Sequence, residues 1–416
     1  MEADILCVGT ELTCGAVANT NAVWLSQRLL EAGVAVRRQI TVGDRLDDVR
    51  ESIERSLGAV DVVLLTGGLG PTQDDLTREA LSAALGRPLE SDRASEEHIR
   101  AFFRSIGRPM PEANLRQAMI PAGAMALANA WGTAPGIRAE AGQAVIYALP
   151  GVPREMRETF DRYVAPELRE RASGAAVAVR VLHTYGLGES IIGQHLSDLM
   201  TPGRNPSVGT QASEGQISVR VIGRGASPEE VRRLVDADAD RIRALLGDVV
   251  FGEGDDTLPL VVGRRLTELG RTVATAESCT GGLIAKSLTD VSGSSAYFLR
   301  GYVTYSNESK IDLLGVPREL IQSHGAVSGP VAEAMAAGCR SRAGSDYALS
   351  ATGIAGPTGG SADKPVGLVY IGLADANGCA VCELRFGAHL NREAIRDRAC
   401  KTALNLLRRR LYGMRT

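Results

Sequence analysis

The sequence contains no run of 18 apolar residues, so no membrane-spanning helix is expected in its 416 residues. Its first residues, MEADILCVGTEL, lack the basic and long apolar segments of a secretory signal and instead indicate a strand. An excess of one charge is also missing, because 46 basic and 49 acidic residues leave a net charge of -3. That balance provides no general attraction for nucleic acid, so we expect neither a membrane nor a nucleic-acid partner.

Aromatic residues make up only 4% of the chain, so its cores must be built mainly from Ala, Val, Leu and Ile. Seven cysteines, an odd number in a long chain, argue against a disulfide framework and favour a cytoplasmic location. Cys379 and Cys382 form one Cys-x-x-Cys pair in the strand-like run CAVCELRF, where positions three apart point to opposite faces. This favours two ordinary half-buried cysteines over a zinc site.

The hydrophobic pattern divides the chain into three domains. Residues 1–172 alternate strand and helix patterns, and the apolar runs at 60–65 and 144–149 are typical of buried parallel strands in an α/β domain. Residues 173–252 form a smaller α+β pattern that ends in a Gly-Glu-Gly-Asp-Asp linker. Residues 253–416 alternate helices and strands again, which predicts a second α/β domain.

The same patterns predict individual elements. The predicted strands are 4–8, 60–65, 144–149, 178–185, 216–222, 272–276, 297–305, 347–350, 366–373 and 379–386. The predicted helices are 21–30, 189–199, 258–269 and 392–411, with others opening near Asp74, after Pro228 and after ESCTGG. Because ligands of parallel sheets bind at the carboxyl ends of strands, the segments after these strands are candidate sites.

Two segments of the third domain contain groups suited to nucleophilic chemistry. Residues 277–282, ESCTGG, follow a predicted strand, and we expect Ser278 at a helix N-terminus that favours a phosphate or an oxyanion. Alone, this segment favours a simple helix cap. Residues 305–310, YSNESK, change that balance, because a lysine can activate a serine directly or through a tyrosine whose pKa it lowers. No histidine lies in either segment, so a Ser–His–Asp triad is not supported.

A third segment, residues 351–360 (ATGIAGPTGG), follows another predicted strand. Its glycines would allow the backbone to approach a phosphate or a ring closely. No Lys-Ser/Thr pair follows, so the segment is not a Walker A loop. A surface loop without a ligand is the alternative.

The first domain also has glycine-rich and acidic segments after its strands. VGTEL at 8–12 leads into NTN at 19–21, and TGGLGPTQDDLT occupies 66–77. A strand followed by a glycine-rich turn and a helix can cradle a phosphate. Asp74 and Asp75 supply hard oxygen ligands for a divalent metal that bridges a pyrophosphate. For Asp74 alone, helix capping explains the residue equally well.

These motifs together resemble the competence/damage-inducible CinA family. In the third domain the resemblance rests on ESCTGG, YSNESK, HGAVS at 324–328, ATGIAGPTGG and KPVG at 364–367, all in the family's order. In the first domain it rests on VGTEL, NTN, GGLGPTQDDLT and LPGVPREM at 149–156, which resemble the molybdopterin-binding domain shared with MoaB/Mog-like proteins. The middle domain resembles the family's KH-like connector, but without a clear GxxG loop beside a basic helix we do not expect nucleic-acid binding.

For the C-terminal domain, the resemblance implies a nicotinamide-nucleotide amidase that needs no cofactor. Ser278 would be the nucleophile, and Tyr305 and Lys310 would be its activating pair. Cys279, whose thiol is intrinsically the better nucleophile, would be a buried structural residue. The implied substrate-binding residues are Thr280, Gly281, Gly282, Asn307, Thr352, Gly353 and Gly356. The backbone amides of the two glycines that follow Thr280 are expected to donate to an oxyanion or a phosphate.

For the N-terminal domain, the resemblance implies a metal-dependent ADP-ribose pyrophosphatase. The implied nucleotide or phosphate contacts are Thr10, Glu11, Asn21, Gly67, Gly68, Gly70 and Thr72, and the implied metal ligands are Asp74 and Asp75. Residues 12–14, Leu-Thr-Cys, depart from the more apolar stretch common in the family, and we expect a local change of packing there.

The leading hypothesis is therefore an enzyme of pyridine nucleotide recycling that acts on nicotinamide mononucleotide and ADP-ribose, as a homodimer if it follows the family. One alternative is a pterin- or nucleotide-binding protein associated with competence and without catalysis. Another is a serine amidase that accepts simple amides without a phosphate.

Overall fold

The computed structural model describes residues 1–172 and 176–414, which fold as a mixed α/β protein. The predicted start of the connector, at 173, lies outside the described residues. The chain divides into two compact units, Met1–Ala178 with Gly223–Arg232 and Val179–Ile222 with Arg233–Thr416. No helix within the described ranges has both the length and the apolar character that a membrane crossing requires.

The first unit contains the N-terminal α/β domain. Its strands are β1 (Glu2–Val8), β2 (Ala35–Val42), β3 (Val62–Thr66), β4 (Leu89–Ser91), β5 (Met119–Pro121), β6 (Met125–Leu127), β7 (Gly136–Ala141) and β8 (Ala144–Leu149). Its helices are α1 (Thr10–Thr13), α2 (Thr20–Glu31), α3 (Leu46–Leu57), α4 (Thr77–Leu85), α5 (Arg93–Ser105), α6 (Pro153–Thr159) and α7 (Ala165–Arg171). The main sheet has the order β2-β1-β3-β8-β7-β6, and its first four strands are parallel. β7 is antiparallel to β8, and β6 is antiparallel to β7.

The central strand β3 is apolar throughout because both faces of the sheet are covered. Val62 and Leu64 belong to a core that includes residues of α2 and α6, whereas Val63 and Leu65 belong to a second core that includes residues of α3 and α4. A strand buried on both faces needs a continuous apolar run, which is why the sequence pattern identified it. The carboxyl end of the strand leads directly into the glycine-rich segment at Gly67.

Two predicted helix bounds are wrong. The helix expected to open near Asp74 begins only at Thr77, because Asp75 accepts hydrogen bonds from the backbone N–H and the hydroxyl of Thr72 and closes a turn there. In the connector, the helix predicted for 189–199 ends at His195. Leu196 and Leu199 are fully buried although they follow the helix. The apolar pattern therefore extends beyond the last helical residue, which made the predicted helix too long.

The connector is a small α+β domain. Its elements are β9 (Ala176–Tyr185), α8 (Glu189–His195), β10 (Ser207–Ser213), β11 (Gln216–Gly225), α9 (Pro228–Leu246) and β12 (Val250–Glu253), with the sheet order β10-β11-β9-β12. β10 and β11 form an antiparallel hairpin, and β12 is antiparallel to β9. Within the second unit the connector contacts the last helix of the chain, since the Tyr185 hydroxyl lies 2.7 Å from the Thr402 hydroxyl and Arg408 donates to the Asp248 carbonyl at 2.6 Å.

The C-terminal domain is a second α/β sandwich. Its strands are β13 (Val273–Glu277), β14 (Phe298–Val303), β15 (Tyr347–Gly353), β16 (Leu368–Asp375) and β17 (Gly378–Arg385). Its helices are α10 (Leu258–Leu269), α11 (Leu283–Thr289), α12 (Asn307–Leu314), α13 (Arg318–His324), α14 (Gly329–Ala343) and α15 (Arg392–Leu411). The strand order is β14-β13-β15-β16-β17, and the first three strands are parallel. β16 is antiparallel to both of its neighbours, β15 and β17.

This topology decides where the chemistry-bearing segments meet. β14, β13 and β15 are parallel neighbours, so their carboxyl ends lie along one edge of the sheet. ESCTGG follows β13, YSNESK follows β14, and ATGIAGPTGG continues from β15. Three segments that are far apart in the sequence therefore come together at one edge.

Candidate active sites

The first candidate site centres on Ser278, the residue directly after β13. Its backbone N–H donates to the carbonyl of Ala351 on the neighbouring strand at 2.9 Å, which holds the residue against the sheet edge. The Nζ atom of Lys310, from the first half of α12, lies 3.1 Å from the Ser278 Oγ. An amine and a hydroxyl from two separate segments are thus in direct hydrogen-bond contact.

The ammonium group of Lys310 has an unusual environment for a charged side chain. Lys310 is only 1% exposed, and Nζ donates to the backbone carbonyl of Thr304 at 2.8 Å, with the carbonyls of Tyr305 and Ser306 at 3.4 Å. Among the described residues, all its hydrogen-bond partners are carbonyl or hydroxyl oxygens and none is a carboxylate. Burial lowers the pKa of Lys310 below its usual range, so the neutral amine is more accessible than in an ordinary lysine.

Tyr305 has a hydrogen-bond partner outside this pair. It is 60% exposed, and its hydroxyl accepts a hydrogen bond from the Arg392 Nη2 at 2.9 Å. Arg392, the first residue of α15, also donates to the Gly356 carbonyl at 2.9 Å. The structure therefore brings Ser278 and Lys310 together and links Tyr305 to a cation that no sequence motif indicated.

The ESCTGG loop differs from the expectation in how its amides are used. α11 starts only at Leu283, so Ser278 directly follows a strand and does not lie at a helix N-terminus. The buried carboxylate of Glu277 accepts from the backbone N–H groups of Gly282, Ile284 and Ala285 at 2.8–3.0 Å. The predicted oxyanion donors are therefore occupied: the Gly282 amide donates to Glu277, and the Gly281 amide donates to the Ser278 carbonyl at 3.1 Å.

The other predicted substrate-binding residues have mixed surroundings. Thr352 is buried, and its hydroxyl donates to the Ala326 carbonyl at 2.8 Å, so this polar group already has a partner in the fold. Thr280 is fully buried, and within the described residues its hydroxyl has no hydrogen-bond partner. Gly353 ends β15, and a Cβ there would collide with Leu368 and Val369, so close strand packing accounts for this glycine. Asn307 is the first residue of α12, and it is exposed.

Cys279, the rival nucleophile, is poorly placed for that role. The residue is 6% exposed and belongs to the domain core. Burial raises the pKa of its thiol to about 12, so the reactive thiolate is disfavoured near neutral pH. This environment fits a structural cysteine.

The second candidate site is a cleft of about 410 Å³ at the carboxyl edge of the N-terminal sheet, here called the acidic cleft. Of the predicted residues, those lining it are Glu11, Asn21, Gly67, Gly68, Gly70, Asp74 and Asp75. Thr10 and Thr72 do not line the cleft but donate hydrogen bonds to residues that do. The Thr10 N–H donates to Asp44 at 2.7 Å, and Thr72 donates to Asp75. At Gly67, where φ is +100°, a Cβ would collide with the Val8 carbonyl, so the close approach of two loops requires glycine.

Side chains from distant motifs converge in the acidic cleft. Asn21 donates to the Gly151 carbonyl at 2.8 Å, which joins the NTN segment to LPGVPREM. Leu12 lines the cleft, whereas Thr13 and Cys14 of the divergent segment are exposed. Asp44 is a fourth carboxylate in the lining that the sequence motifs did not signal.

Among the described residues, the lining of the acidic cleft carries four carboxylates and no lysine or arginine. Two of the carboxylates already accept hydrogen bonds from the loops, Asp75 from Thr72 and Asp44 from Thr10. Hydrogen bonding within the turn that contains Thr72 lowers the pKa of Asp74, which favours its ionised form. Within the described residues, no three His, Cys, Asp or Glu side chains form a group that could hold a metal ion unaided.

Three family descriptions match successive parts of the chain. "Probable molybdopterin binding domain" matches residues 4–170, "Damage-inducible protein CinA KH domain" matches 179–252, and "CinA C-terminal domain" matches 255–411. The chain is 45% identical to a CinA-like protein of Geobacter sulfurreducens, covering 99% of both chains, and 42% identical to a CinA-like protein of Dictyoglomus thermophilum, covering 100% of both.

The chain belongs to the CinA family. Among solved structures it resembles the competence/damage inducible protein CihA from Agrobacterium tumefaciens, with 46% sequence identity and a TM-score of 0.35, over 36% of this chain and 94% of that chain. The CinA assignment extends over all three predicted domain types: a molybdopterin-binding-like domain, a KH-like connector and a CinA C-terminal domain.

Glu277 should be essential for the local order of the ESCTGG loop of this CinA domain. In Glu277→Ala, three backbone N–H groups lose their acceptor, and an unpaired buried donor costs about 1–3 kcal/mol. We expect amides of residues 278–289 to exchange with deuterium faster, measured by hydrogen-exchange mass spectrometry. Glu308→Ala, an exposed residue of α12, is the control and should leave these rates unchanged. Unchanged protection in Glu277→Ala would show that the carboxylate does not order the loop.

Proposed function

We propose that the C-terminal domain hydrolyses the carboxamide of nicotinamide mononucleotide to release ammonia and nicotinate mononucleotide. The observation that carries this proposal is the 3.1 Å contact between the Lys310 Nζ and the Ser278 Oγ, in which the lysine is buried and, within the described part of the chain, has no carboxylate partner. A serine hydroxyl needs a base to become a nucleophile, and a desolvated lysine is one of the few side chains that can provide it without histidine.

The proposed reaction begins with Lys310 as the neutral amine. A neutral amine has two N–H groups and one lone pair; the N–H groups are directed to backbone carbonyls such as that of Thr304, and the lone pair accepts the Ser278 proton. The Ser278 oxygen then attacks the carboxamide carbon. Lys310 returns the proton to the departing nitrogen, ammonia leaves, and a nicotinoyl ester of Ser278 remains. Water, deprotonated by the same amine, hydrolyses the ester and restores the serine.

Substrate recognition is proposed to involve the Arg392–Tyr305 pair. Arg392 is the cation that joins the YSNESK segment to the ATGIAGPTGG loop, through the Tyr305 hydroxyl and the Gly356 carbonyl. A guanidinium is suited to bidentate contact with a phosphate, which a mononucleotide supplies. This favours a phosphorylated substrate over a simple amide.

A second proposed activity is metal-dependent hydrolysis of ADP-ribose in the N-terminal domain. Four carboxylates without a basic residue would repel a pyrophosphate, so an anionic ligand needs a bridging cation in the acidic cleft. Mg²⁺ is commonly bound by one or two carboxylates, with substrate phosphates and water completing its shell, and does not need a three-residue protein cage. Asp74 and Asp75 are the proposed ligands, and the metal would supply Lewis-acid activation of the phosphoryl group. The competing hypothesis for this cleft is that it binds a pterin without catalysis.

The partners proposed for both sites are small nucleotides, and the proposed location is the cytoplasm. All seven cysteines are free thiols, in keeping with a reducing compartment. A homodimer stays a prediction of the family resemblance.

Ser278→Ala should lower ammonia release from nicotinamide mononucleotide by about 10³-fold or more, because the nucleophile is lost. Cys279→Ala, the adjacent residue, is the matched control and should keep most of the activity. Ammonia is measured with a coupled glutamate dehydrogenase assay on the full-length protein. Loss of activity in Cys279→Ala with retention in Ser278→Ala would transfer the role to the thiol.

The amidase rate should rise with pH through the lowered pKa of Lys310, because only the deprotonated amine can accept the serine proton. Below that pKa, kcat/KM should fall by about tenfold per pH unit. Lys310→Arg should be inactive at every pH, since a guanidinium stays protonated. A pH profile that is flat on the acidic side, or a Lys310→Arg variant with the same profile, would rule out Lys310 as the base.

Release of AMP from ADP-ribose should depend on a divalent cation and stop in EDTA, whereas ammonia release should be insensitive to EDTA. Asp74→Asn is expected to reduce AMP release by about tenfold or more without affecting the amidase. We choose Asp74 because truncation of Asp75 would also break the turn at Thr72. AMP release that persists at full rate in EDTA would contradict the proposed metal dependence.

A further inference from the structure

An exposed tryptophan lies in a second cleft that adjoins the acidic cleft. Trp131 is 47% exposed and, together with Phe102, lines a space of about 320 Å³, here called the aromatic cleft. The residues that line both clefts are Leu69, Gly70, Gly151 and Val152. The two spaces therefore meet at a common wall, which contains the glycine-rich loop expected to contact phosphate.

The indole of Trp131 is held in a defined position. The guanidinium of Arg154 lies 3.7 Å from its ring centroid, in a cation–π stack. The backbone N–H of Trp131 donates at 3.0 Å to Asn129, whose buried side chain donates to the Ala134 carbonyl and to Glu155. A large side chain that is exposed but already ordered loses little entropy when a ligand packs on it.

The size and the chemistry of the two clefts indicate a ligand with two different halves. Spaces of about 410 and 320 Å³ each lie in the range of small-molecule sites, and a lone phosphate would not need the second. The acidic cleft suits a pyrophosphate with its cation, whereas indole and phenyl rings suit a planar base. Nucleobases stack on exposed aromatic side chains because every base presents a π-face.

We propose that Trp131 stacks on the adenine base of ADP-ribose while the pyrophosphate occupies the acidic cleft. Trp131 is thus a specificity-determining residue that distinguishes an adenine nucleotide from a sugar phosphate. The choice of ligand rests on the proposed pyrophosphatase function, but the stacking itself is a binding event that does not require turnover.

The experiment uses the two products of the proposed hydrolysis, AMP and ribose 5-phosphate, of which only AMP carries the base. The chain has two tryptophans, so Trp24→Phe in the full-length protein leaves Trp131 as the single indole reporter. Trp24 packs edge-on against Phe160, and an aromatic replacement keeps that contact. With magnesium chloride present, AMP should quench Trp131 fluorescence in a saturable manner, and ribose 5-phosphate should not.

Affinities are then measured by calorimetry in a chain that retains Trp24. Trp131→Leu should weaken AMP binding by about tenfold or more and leave ribose 5-phosphate binding unchanged, while Trp131→Phe should lose less. Equal melting temperatures of the variants would show that the fold is intact, as expected for an exposed residue. AMP affinity unchanged in Trp131→Leu, or equal quenching by both ligands, would overturn the proposal.

Two further outcomes separate this inference from the proposed activity. AMP that quenches Trp131 in a protein unable to hydrolyse ADP-ribose would support the stacking and contradict the pyrophosphatase. A pterin phosphate that quenches Trp131 where AMP does not would overturn the assignment to adenine.

Discussion

The contact between the Lys310 amine and the Ser278 hydroxyl is the interaction on which the proposed chemistry of the C-terminal domain depends. It joins the residue after β13 to α12, the helix that follows the neighbouring strand β14, and among the described residues the lysine is hydrogen-bonded to backbone carbonyls and to no carboxylate. A nearby carboxylate would stabilise the ammonium and remove the base. The surrounding fold therefore places the two groups 3.1 Å apart and also buries the amine, which lowers the pKa of Lys310.

The two candidate sites use the same architectural position with opposite electrostatics. Both lie at the carboxyl ends of parallel strands, where loops from neighbouring strands converge. In the C-terminal domain the polar groups include a buried amine beside Ser278 and the Arg392 guanidinium beside Tyr305. In the N-terminal domain the described lining is acidic, and the proposed pyrophosphate would therefore need a cation. The electrostatic difference follows from the side chains at the two sheet edges.

Several residues that the motifs assigned to ligands stabilise the protein's own loops. The Gly282 amide donates to Glu277, Asp75 accepts from Thr72, and the Thr352 hydroxyl donates to Ala326. A loop that must hold a catalytic group in one position needs its own hydrogen bonds, and the same polar residue types serve both purposes. Arg392 and Trp131, by contrast, lie outside every motif and have exposed side chains.

By itself the sequence determined the class of the fold, most buried strands and helices, and the pairing of a serine with a lysine. The continuous apolar run 144–149 reveals burial locally, and the predicted bounds of this strand and of the helix 392–411 agree with the structure. Only the tertiary structure showed which side chain hydrogen-bonds to Ser278: Tyr305 and Lys310 both come from the YSNESK segment, yet the Lys310 amine reaches the Ser278 hydroxyl whereas the Tyr305 hydroxyl pairs with Arg392. It also showed that the Gly282 amide is occupied and that Trp131 lines a cleft beside the acidic cleft. Such relations are distances between segments far apart in the chain, and no local pattern encodes them.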